Sequence, residues 1–240
     1  MWSICKKEWQ QFFSNLSGYI AIILFLLVNG LFLFVLRDSN IFDYGYATLD
    51  RFFELAPWVL MFLVPAITMR AFSDEFRTGT FELLQTRPLS RWDIVGGKYF
   101  ATLLVLLVVI IPTLVYVLTL RQLSATGTID AAGIAGSYIG LFFLAAVFAS
   151  IGICCSSLTA NAVIAFLVAV FICLIAYFGF GALGRLPLFQ GGADYYLDML
   201  GISFHYQSMS RGLLDSRDVI YFLSLIVLGL FITVRTLQKR

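Results

Sequence analysis

The segment EFRTGTFELLQTRPLSRWDIVGGK, residues 75–98, is dense in charge and lies between two strongly apolar stretches. Its several capping residues indicate a small folded unit at the membrane surface. The sequence RTGT at residues 77–80 predicts the end of the helix that leaves the preceding apolar stretch.

A short helix, FELLQT at residues 81–86, is predicted to follow this break. Thr80 can cap its N-terminus, and Glu82 lies in its first turn, where the helix dipole favours a negative charge. Pro88 ends the helix, because the residue before a proline is pushed out of helical geometry. The apolar residues of this turn are Phe81, Leu83 and Leu84.

The next helix has a start signal of its own. Ser90 and Asp93 form a capping pair of the [ST]xx[DE] kind, and the helix that they begin enters the next apolar stretch. Gly96 and Gly97 allow close packing, and Lys98 marks the membrane interface. Residues 73–98 are therefore predicted to hold a short helix across the membrane surface, pinned at both ends.

The composition indicates an integral membrane protein. Of the 240 residues, 60% are hydrophobic and 12% are charged, whereas an ordinary soluble domain is about 25% charged. The net charge of +2 gives no indication of nucleic-acid binding. Because no soluble stretch is long enough for a second domain, residues 1–240 are predicted to form a single transmembrane domain.

Six segments are predicted to be membrane-spanning helices, each of which needs about 20 mostly apolar residues. Span 2 is short by this measure, carries Pro57 and Pro65, and extends back toward Phe52. A re-entrant hairpin is the alternative for this segment. The six are residues 18–36, 56–69, 99–120, 133–156, 161–183 and 219–234.

The distribution of lysine and arginine predicts the orientation, because cytoplasmic loops carry an excess of both. Ten of the 16 fall on one side of the six-span topology and six on the other. We expect the richer side, with both termini and the segment 73–98, to face the cytoplasm. The ten are Lys6, Lys7, Arg70, Arg77, Arg87, Arg91, Lys98, Arg235, Lys239 and Arg240.

The N-terminal residues 2–17 are predicted to form an amphipathic helix. Trp2, Trp9, Phe12 and Phe13 share one face at helical spacing, and the lysines and glutamines lie elsewhere. Such a helix lies in the membrane interface with its tryptophans at headgroup level. A helix packed on a cytoplasmic partner is the alternative, and one helix can do both.

The largest loop on the opposite side comprises residues 184–218. Its tyrosines and leucines around Tyr195 suggest a short interfacial helix. Asp215, followed three residues later by Asp218, resembles the start signal of the last span.

The sequence contains no recognisable catalytic constellation. It lacks a nucleotide-binding loop, an HExxH motif and a GxSxG motif. The four cysteines form no CxxC pair and are expected to be packing residues, while the single His205 cannot build a metal site alone. Ionisable residues inside the spans would mark an ion pathway, and the six spans contain essentially none. The sequence therefore predicts a non-catalytic membrane subunit that holds no cofactor or metal and depends on another energy source.

The stretch DEFRTGTFELLQTRPLSRWDIVGGKY resembles the signature of the ABC-2 family of transporter permeases. The N-terminal amphipathic helix, the six-span count and the outer loop fit that family as well. SFHYQSMSRGLLDSRDVIYF resembles a branch of the family that includes the gliding-motility permeases of Bacteroidetes.

The resemblance implies a fold and a mechanism. The fold is an all-α integral membrane protein with six transmembrane helices, an N-terminal interfacial helix and a cytoplasmic coupling helix between spans 2 and 3. The coupling segment docks on a separate ABC ATPase, which binds ATP and Mg, and the permease pairs with a second copy or a related subunit in the bacterial inner membrane. The residues that match the family pattern here are Glu75, Arg77, Gly79, Thr80, Glu82, Leu83, Leu84, Pro88, Ser90, Gly97 and Lys98. Phe81 lies in the same segment and is expected to belong to the coupling site with them.

Further interpretations of the sequence remain open. A secondary carrier or channel would work alone, but intramembrane charges are lacking. A membrane scaffold would hold other proteins without moving a substrate, and a membrane enzyme has no constellation to support it. Within a permease, the candidates for a bistable element that the nucleotide biases are the proline-containing helices at Pro65 and Pro112 and the rigid capped loop between spans 2 and 3.

Overall fold

All regular elements that the structure describes are helical. The computed structural model describes residues 1–36, 48–82, 90–123, 130–186 and 192–239. The helices are α1 (Trp2–Ser14), α2 (Leu16–Phe34), α3 (Asp50–Thr68), α4 (Arg70–Thr78), α5 (Arg91–Ile110), α6 (Leu114–Leu123), α7 (Ala131–Leu158), α8 (Ala162–Leu174), α9 (Phe180–Gly184), α10 (Ala193–Met199), α11 (Ile202–Met209) and α12 (Ser216–Gln238).

Five helical stretches of this described chain are long and apolar enough to cross a membrane, or six if the bent pair α1–α2 is counted as one span. The five are Asp50–Thr78, Arg91–Gln122, Ala131–Leu158, Ala162–Gly184 and Ser216–Gln238. The predicted all-α membrane fold is confirmed.

The second predicted span is longer than its apolar residues suggested. Helix α3 begins at Asp50, and with α4 it forms a span of 29 residues. Pro57 and Pro65 lie inside α3, where neighbouring groups in a bundle can compensate for the missing hydrogen bonds. The path is that of a span and not that of a re-entrant hairpin.

The chain bends sharply between α1 and α2. The axes of Trp2–Ser14 and Gly18–Phe34 differ by 70°. Gly18 permits this turn, because a Cβ there would lie 2.6 Å from the Phe12 carbonyl oxygen. This bend leaves the interfacial position of α1 a prediction, and α1 ends at Ser14 and not at residue 17.

Helix α7 is the most deeply buried of the five spans and forms the centre of the bundle. Three of its glycines meet neighbouring elements, at positions where an added Cβ would lie 3.0 Å or less from them. Gly136 faces Gly212, Gly140 faces Met209, and Gly152 faces Thr68. Small residues at such contacts are typical of membrane helices, whose association depends on close packing.

Two of the spans are interrupted. Pro112 lies in a 3₁₀ turn, Ile111–Thr113, between α5 and α6. A π-helical turn, Ile175–Gly179, joins α8 to α9. The first irregularity coincides with a proline named from the sequence, whereas nothing in the sequence indicated the second.

At the end of the bundle opposite α1, helix α11 packs against both α10 and α12. The Asp215 side chain caps α12 by accepting from the Arg217 N–H at 3.0 Å. The last span therefore begins where the Asp215–Asp218 signal predicted, with Asp218 in the first turn of α12, although the Asp218 side chain has a different partner. It is buried and lies 2.7 Å from His205 Nδ1, while His205 Nε2 lies 2.8 Å from the Met199 carbonyl oxygen.

Candidate functional site around Lys98

A buried lysine joins three helices at the α1 end of the bundle. Lys98, in the second turn of α5, is only 2% exposed. Its Nζ donates to Glu8 Oε1 of α1 at 2.7 Å. It also donates to two acceptors of α4, the Ala71 carbonyl oxygen at 2.6 Å and Glu75 Oε1 at 2.8 Å. An ammonium group has three N–H donors, so all of them are used. We call Glu8, Ala71, Glu75 and Lys98 the Lys98 junction.

The charges of the junction stabilise one another. A buried cation is costly unless it is both paired and hydrogen-bonded, and Lys98 has two carboxylate partners. Lys7 lies 3.6 Å from Glu75 and contributes a second, half-exposed cation. The Lys98 Nζ also lies 5.0 Å from the centroid of the Phe72 ring. Breaking this network therefore leaves at least one buried charge without a partner.

Two glycines bring α1 close enough for these contacts. A Cβ added at Gly97 would lie 2.9 Å from both Ile4 Cβ and the Met1 carbonyl oxygen, and one at Gly96 would lie 3.2 Å from Met1 Cε. The close packing expected at Gly96 and Gly97 is therefore present, and the neighbouring element is α1. Cys5, next to Ile4 on α1, is also buried, and its burial raises the pKa of the thiol.

The break between α3 and α4 is fastened to α7 by Ser156. The Ser156 hydroxyl accepts from the N–H groups of Phe72 at 2.9 Å and Ser73 at 3.2 Å. It also donates to the Met69 carbonyl oxygen at 2.9 Å. Backbone groups freed at a helix break need such partners, so one hydroxyl fixes the direction of α4, which carries Glu75.

The end of α4 has the geometry that its sequence predicted. Gly79 is left-handed, with φ +69°, a conformation that glycine adopts without strain. The Thr80 N–H donates to the Glu75 carbonyl oxygen at 3.0 Å, which closes a Schellman-type end. Helical backbone resumes at Phe81 and Glu82.

Phe81 faces the bundle. Its ring is 6% exposed and lies 5.0 Å from the Phe76 ring, centroid to centroid. The side chains of Thr80 and Glu82 are exposed. Arg77 is also exposed and pairs with Asp74 at 3.3 Å. Leu83, Leu84 and Pro88, together with most of the predicted helix 81–86, lie outside the described residues.

The predicted start of α5 is present in full. The Ser90 hydroxyl accepts from the Asp93 N–H at 3.1 Å, and Asp93 Oδ2 accepts from the Ser90 N–H at 3.2 Å. These reciprocal bonds form a capping box. Hydrogen bonds from Ser90 lower the pKa of the Asp93 carboxyl below its usual value.

Some aromatic residues of α1 pack on the bundle, and one is exposed. Trp2 is exposed, whereas Trp9, Phe12 and Phe13 are half-buried and pack on the core. Trp9 and Phe13 also contact each other, with ring centroids 4.7 Å apart. The face predicted to meet the membrane interface therefore also anchors α1.

The structure unites some of the predicted site residues and separates others. Glu75 and Lys98 meet in the junction, while Arg77, Thr80 and Glu82 remain at the surface. Glu8 and Ser156 were not predicted. Glu8 could have been noticed as the one acidic residue of α1. Ser156 is one of several serines in apolar surroundings, and nothing in the sequence distinguishes it.

Comparison with known proteins places this arrangement in a family. The sequence model described as "ABC-2 family transporter protein" matches residues 2–194, which include α1, the junction and most of the bundle. No match is found among curated proteins. The match covers well over half of the chain, and the structure is an all-helical membrane bundle. The chain therefore belongs to the ABC-2 transporter family and is a multi-pass membrane subunit of the ABC-transporter type.

Proposed function

We propose that this chain is the permease subunit of an ABC-2 transporter or force-transmitting complex, driven by a separate ABC ATPase. The ATPase binds ATP and Mg, and this chain binds no cofactor or metal. The permease works in a bacterial inner membrane with both termini in the cytoplasm, paired with a second copy or a related subunit.

The observation that best supports the coupling role is the convergence at Lys98. The three elements concerned are α1, α4 and α5. The family resemblance assigns α1 and the connection between α4 and α5 to the ATPase interface. Because Lys98 Nζ bonds to Glu8 and Glu75 at once, α4 cannot move far without moving α1. A push on the connection after α4 is therefore delivered to two spans and the interfacial helix together.

The residues fall into two roles in this proposal. Glu82 and Thr80, which are exposed, contact the ATPase, as do Leu83, Leu84 and Pro88. Glu75, Phe81 and Lys98 hold the connection to the bundle.

The C-terminal part supports the finer assignment to gliding motility only by resemblance. The stretch SFHYQSMSRGLLDSRDVIYF begins at Ser203, beyond the residues matched by the family. It forms most of α11 and the start of α12, held together by His205 and Asp218. In this proposal, that rigid end receives the conformational change and passes it to a partner on the far side of the membrane.

A photo-crosslinking amino acid at position 82 tests the ATPase contact in native membranes. We expect an ATP-binding protein to be crosslinked from position 82 and not from position 54. Glu54 is a matched control, because it is also an exposed glutamate but lies near the opposite end of α3. Equal crosslinking from both positions, or none from position 82, would contradict the proposal.

A further inference from the structure

A long groove opens on the side of the bundle between α2 and α3. It encloses about 720 Å³, which falls within the range of about 300–1,000 Å³ typical of small-ligand pockets. Its walls are apolar over most of their length, with Leu24 and Phe32 on α2 and Trp58 and Phe62 on α3. Exposed apolar side chains are ordinary on a membrane protein, but a concave site of this size is a specific feature.

The groove exists because α2 contacts the bundle along one narrow stripe. Phe25, Asn29 and Leu33, spaced four residues apart, are buried. Beside this stripe the gap is lined by the small side chains of Ala21 and Ala66. No side chain of the described residues fills it.

The groove enters the membrane from the α1 end but does not cross it. Along α3 and α4 it extends from Leu55 to Arg70, and 15 helical residues rise about 22 Å. A bilayer with its headgroup regions is about 40–45 Å thick, so one leaflet with its headgroups is about 20–22 Å. An occupant thus lies mainly in one leaflet, the one along which α1 lies.

The polar lining is concentrated at the α1 end and carries a net positive charge. The charged lining residues are Glu8, Arg70 and Lys98. Lys98 is compensated by Glu8 and Glu75, and Lys7 in turn pairs with Glu75. With Arg70 the five charges sum to +1, and Arg70 forms no ion pair with any residue the structure describes. Gln11 and Asn15 line the same end and add hydrogen-bonding groups.

We propose that this groove binds an anionic phospholipid from the leaflet along which α1 lies. The phosphate is placed at Arg70, Gln11 and Asn15, and an acyl chain fills the space between α2 and α3. The charge at one end, the apolar walls and the one-leaflet length together fit this amphipathic anion. The site is independent of the proposed ATPase coupling, and its test needs no ATPase.

Trp58 supplies the probe, because it lines the groove. The full chain, with Trp2, Trp9 and Trp92 changed to Phe, is purified in mild detergent. It is titrated with phosphatidylglycerol or phosphatidylcholine brominated on the acyl chains, and quenching of Trp58 fluorescence is recorded. We expect phosphatidylglycerol to reach half-maximal quenching at a lower concentration than phosphatidylcholine.

Two variants with matched controls make the test specific. Arg70→Gln is expected to weaken the phosphatidylglycerol response about fivefold, the upper range for an exposed charge contact, whereas Lys6→Gln, an exposed cation on α1 outside the lining, leaves it unchanged. Ala66→Phe fills the groove and removes most of the quenching, whereas Leu167→Phe, on the exposed face of α8, does not.

Three results would overturn the proposal. Equal responses to the two lipids would indicate ordinary surrounding lipid. A phosphatidylglycerol preference that survives Arg70→Gln would place the headgroup elsewhere. If neither lipid quenches Trp58, and the loss of quenching grows with self-association of the protein, the groove is covered by a second copy of the chain.

Discussion

Lys98→Met removes the ammonium group at the junction while keeping most of the side-chain volume. Glu8 and Glu75, whose side chains are 19% and 11% exposed, then lose their shared cation. Removing one partner of a buried ion pair costs about 3–5 kcal/mol. Because both carboxylates retain some exposure and Lys7 stays 3.6 Å from Glu75, we expect the lower value, about 3 kcal/mol. Detachment of α1 relieves this cost by returning both carboxylates to water.

The Cys5 thiol reports that detachment. Cys5 is 3% exposed, so a polar reagent such as iodoacetamide reaches it only through local opening. At 1.4 kcal/mol per factor of ten, the opened fraction rises roughly 100-fold. The labelling rate of Cys5, measured by peptide mass spectrometry, is expected to rise accordingly, while that of the fully buried Cys173 stays low because the bundle remains folded.

Lys7→Met is the matched control. It removes a half-exposed ammonium near the same Glu75, and such a pair contributes about 1 kcal/mol or less. The triple variant Glu8→Gln, Glu75→Gln, Lys98→Met removes all three charges and is expected to restore most of the protection. If Cys5 reacts no faster in Lys98→Met than in Lys7→Met, the junction does not hold α1 on the bundle.

Three further predictions concern the surroundings of the junction. Gly97→Ala forces α1 away and raises the Cys5 labelling rate, whereas Gly181→Ala, whose added Cβ meets nothing closer than 3.7 Å, leaves it unchanged. Ser156→Ala leaves two backbone N–H groups without their acceptor and lowers the free energy of unfolding by about 1–3 kcal/mol, measurable by denaturant titration. Asp93→Asn lowers the melting temperature by an amount that is constant between about pH 7 and 5. It begins to shrink near pH 4 and disappears only below the folded pKa of Asp93. A carboxyl whose folded pKa is lowered stabilises the fold above its unfolded pKa of about 3.9 and loses that effect as pH falls through the folded value.

Local features of the fold were predictable from the sequence. The apolar runs indicated the spans, and the Ser90–Asp93 pair and Gly79 marked helix ends, because each signal acts within a few residues of itself. The apolar run placed the start of span 2 at residue 56, whereas α3 begins at Asp50. The first turns of this helix are polar, so their hydropathy is too low to mark it. The Asp215–Asp218 pair also marked the start of α12 correctly. The contact of Asp218 with His205 was not predictable, because His205 lies on another helix.

The junction itself was not predictable from one sequence. Glu8 and Lys98 are 90 positions apart, and no local pattern indicates that they meet. Lys98 was interpreted as a marker of the membrane interface because most lysines at helix ends extend toward water. Its burial depends on Gly97 admitting α1, which is a tertiary contact. Phe81 was similarly predicted from the sequence to be part of the docking segment, yet in the structure its ring packs on Phe76.

The central claim, that this membrane subunit is driven by a separate ATPase through the connection after α4, is tested most directly by purification from native membranes. The tagged full chain is isolated in mild detergent, the eluate is assayed for ATP hydrolysis, and its proteins are identified by mass spectrometry. We predict an ABC ATPase that is recovered with the wild type and with Glu54→Lys but lost with Glu82→Lys. Recovery of the folded chain without ATP hydrolysis, or an ATPase retained equally by both variants, would contradict this claim.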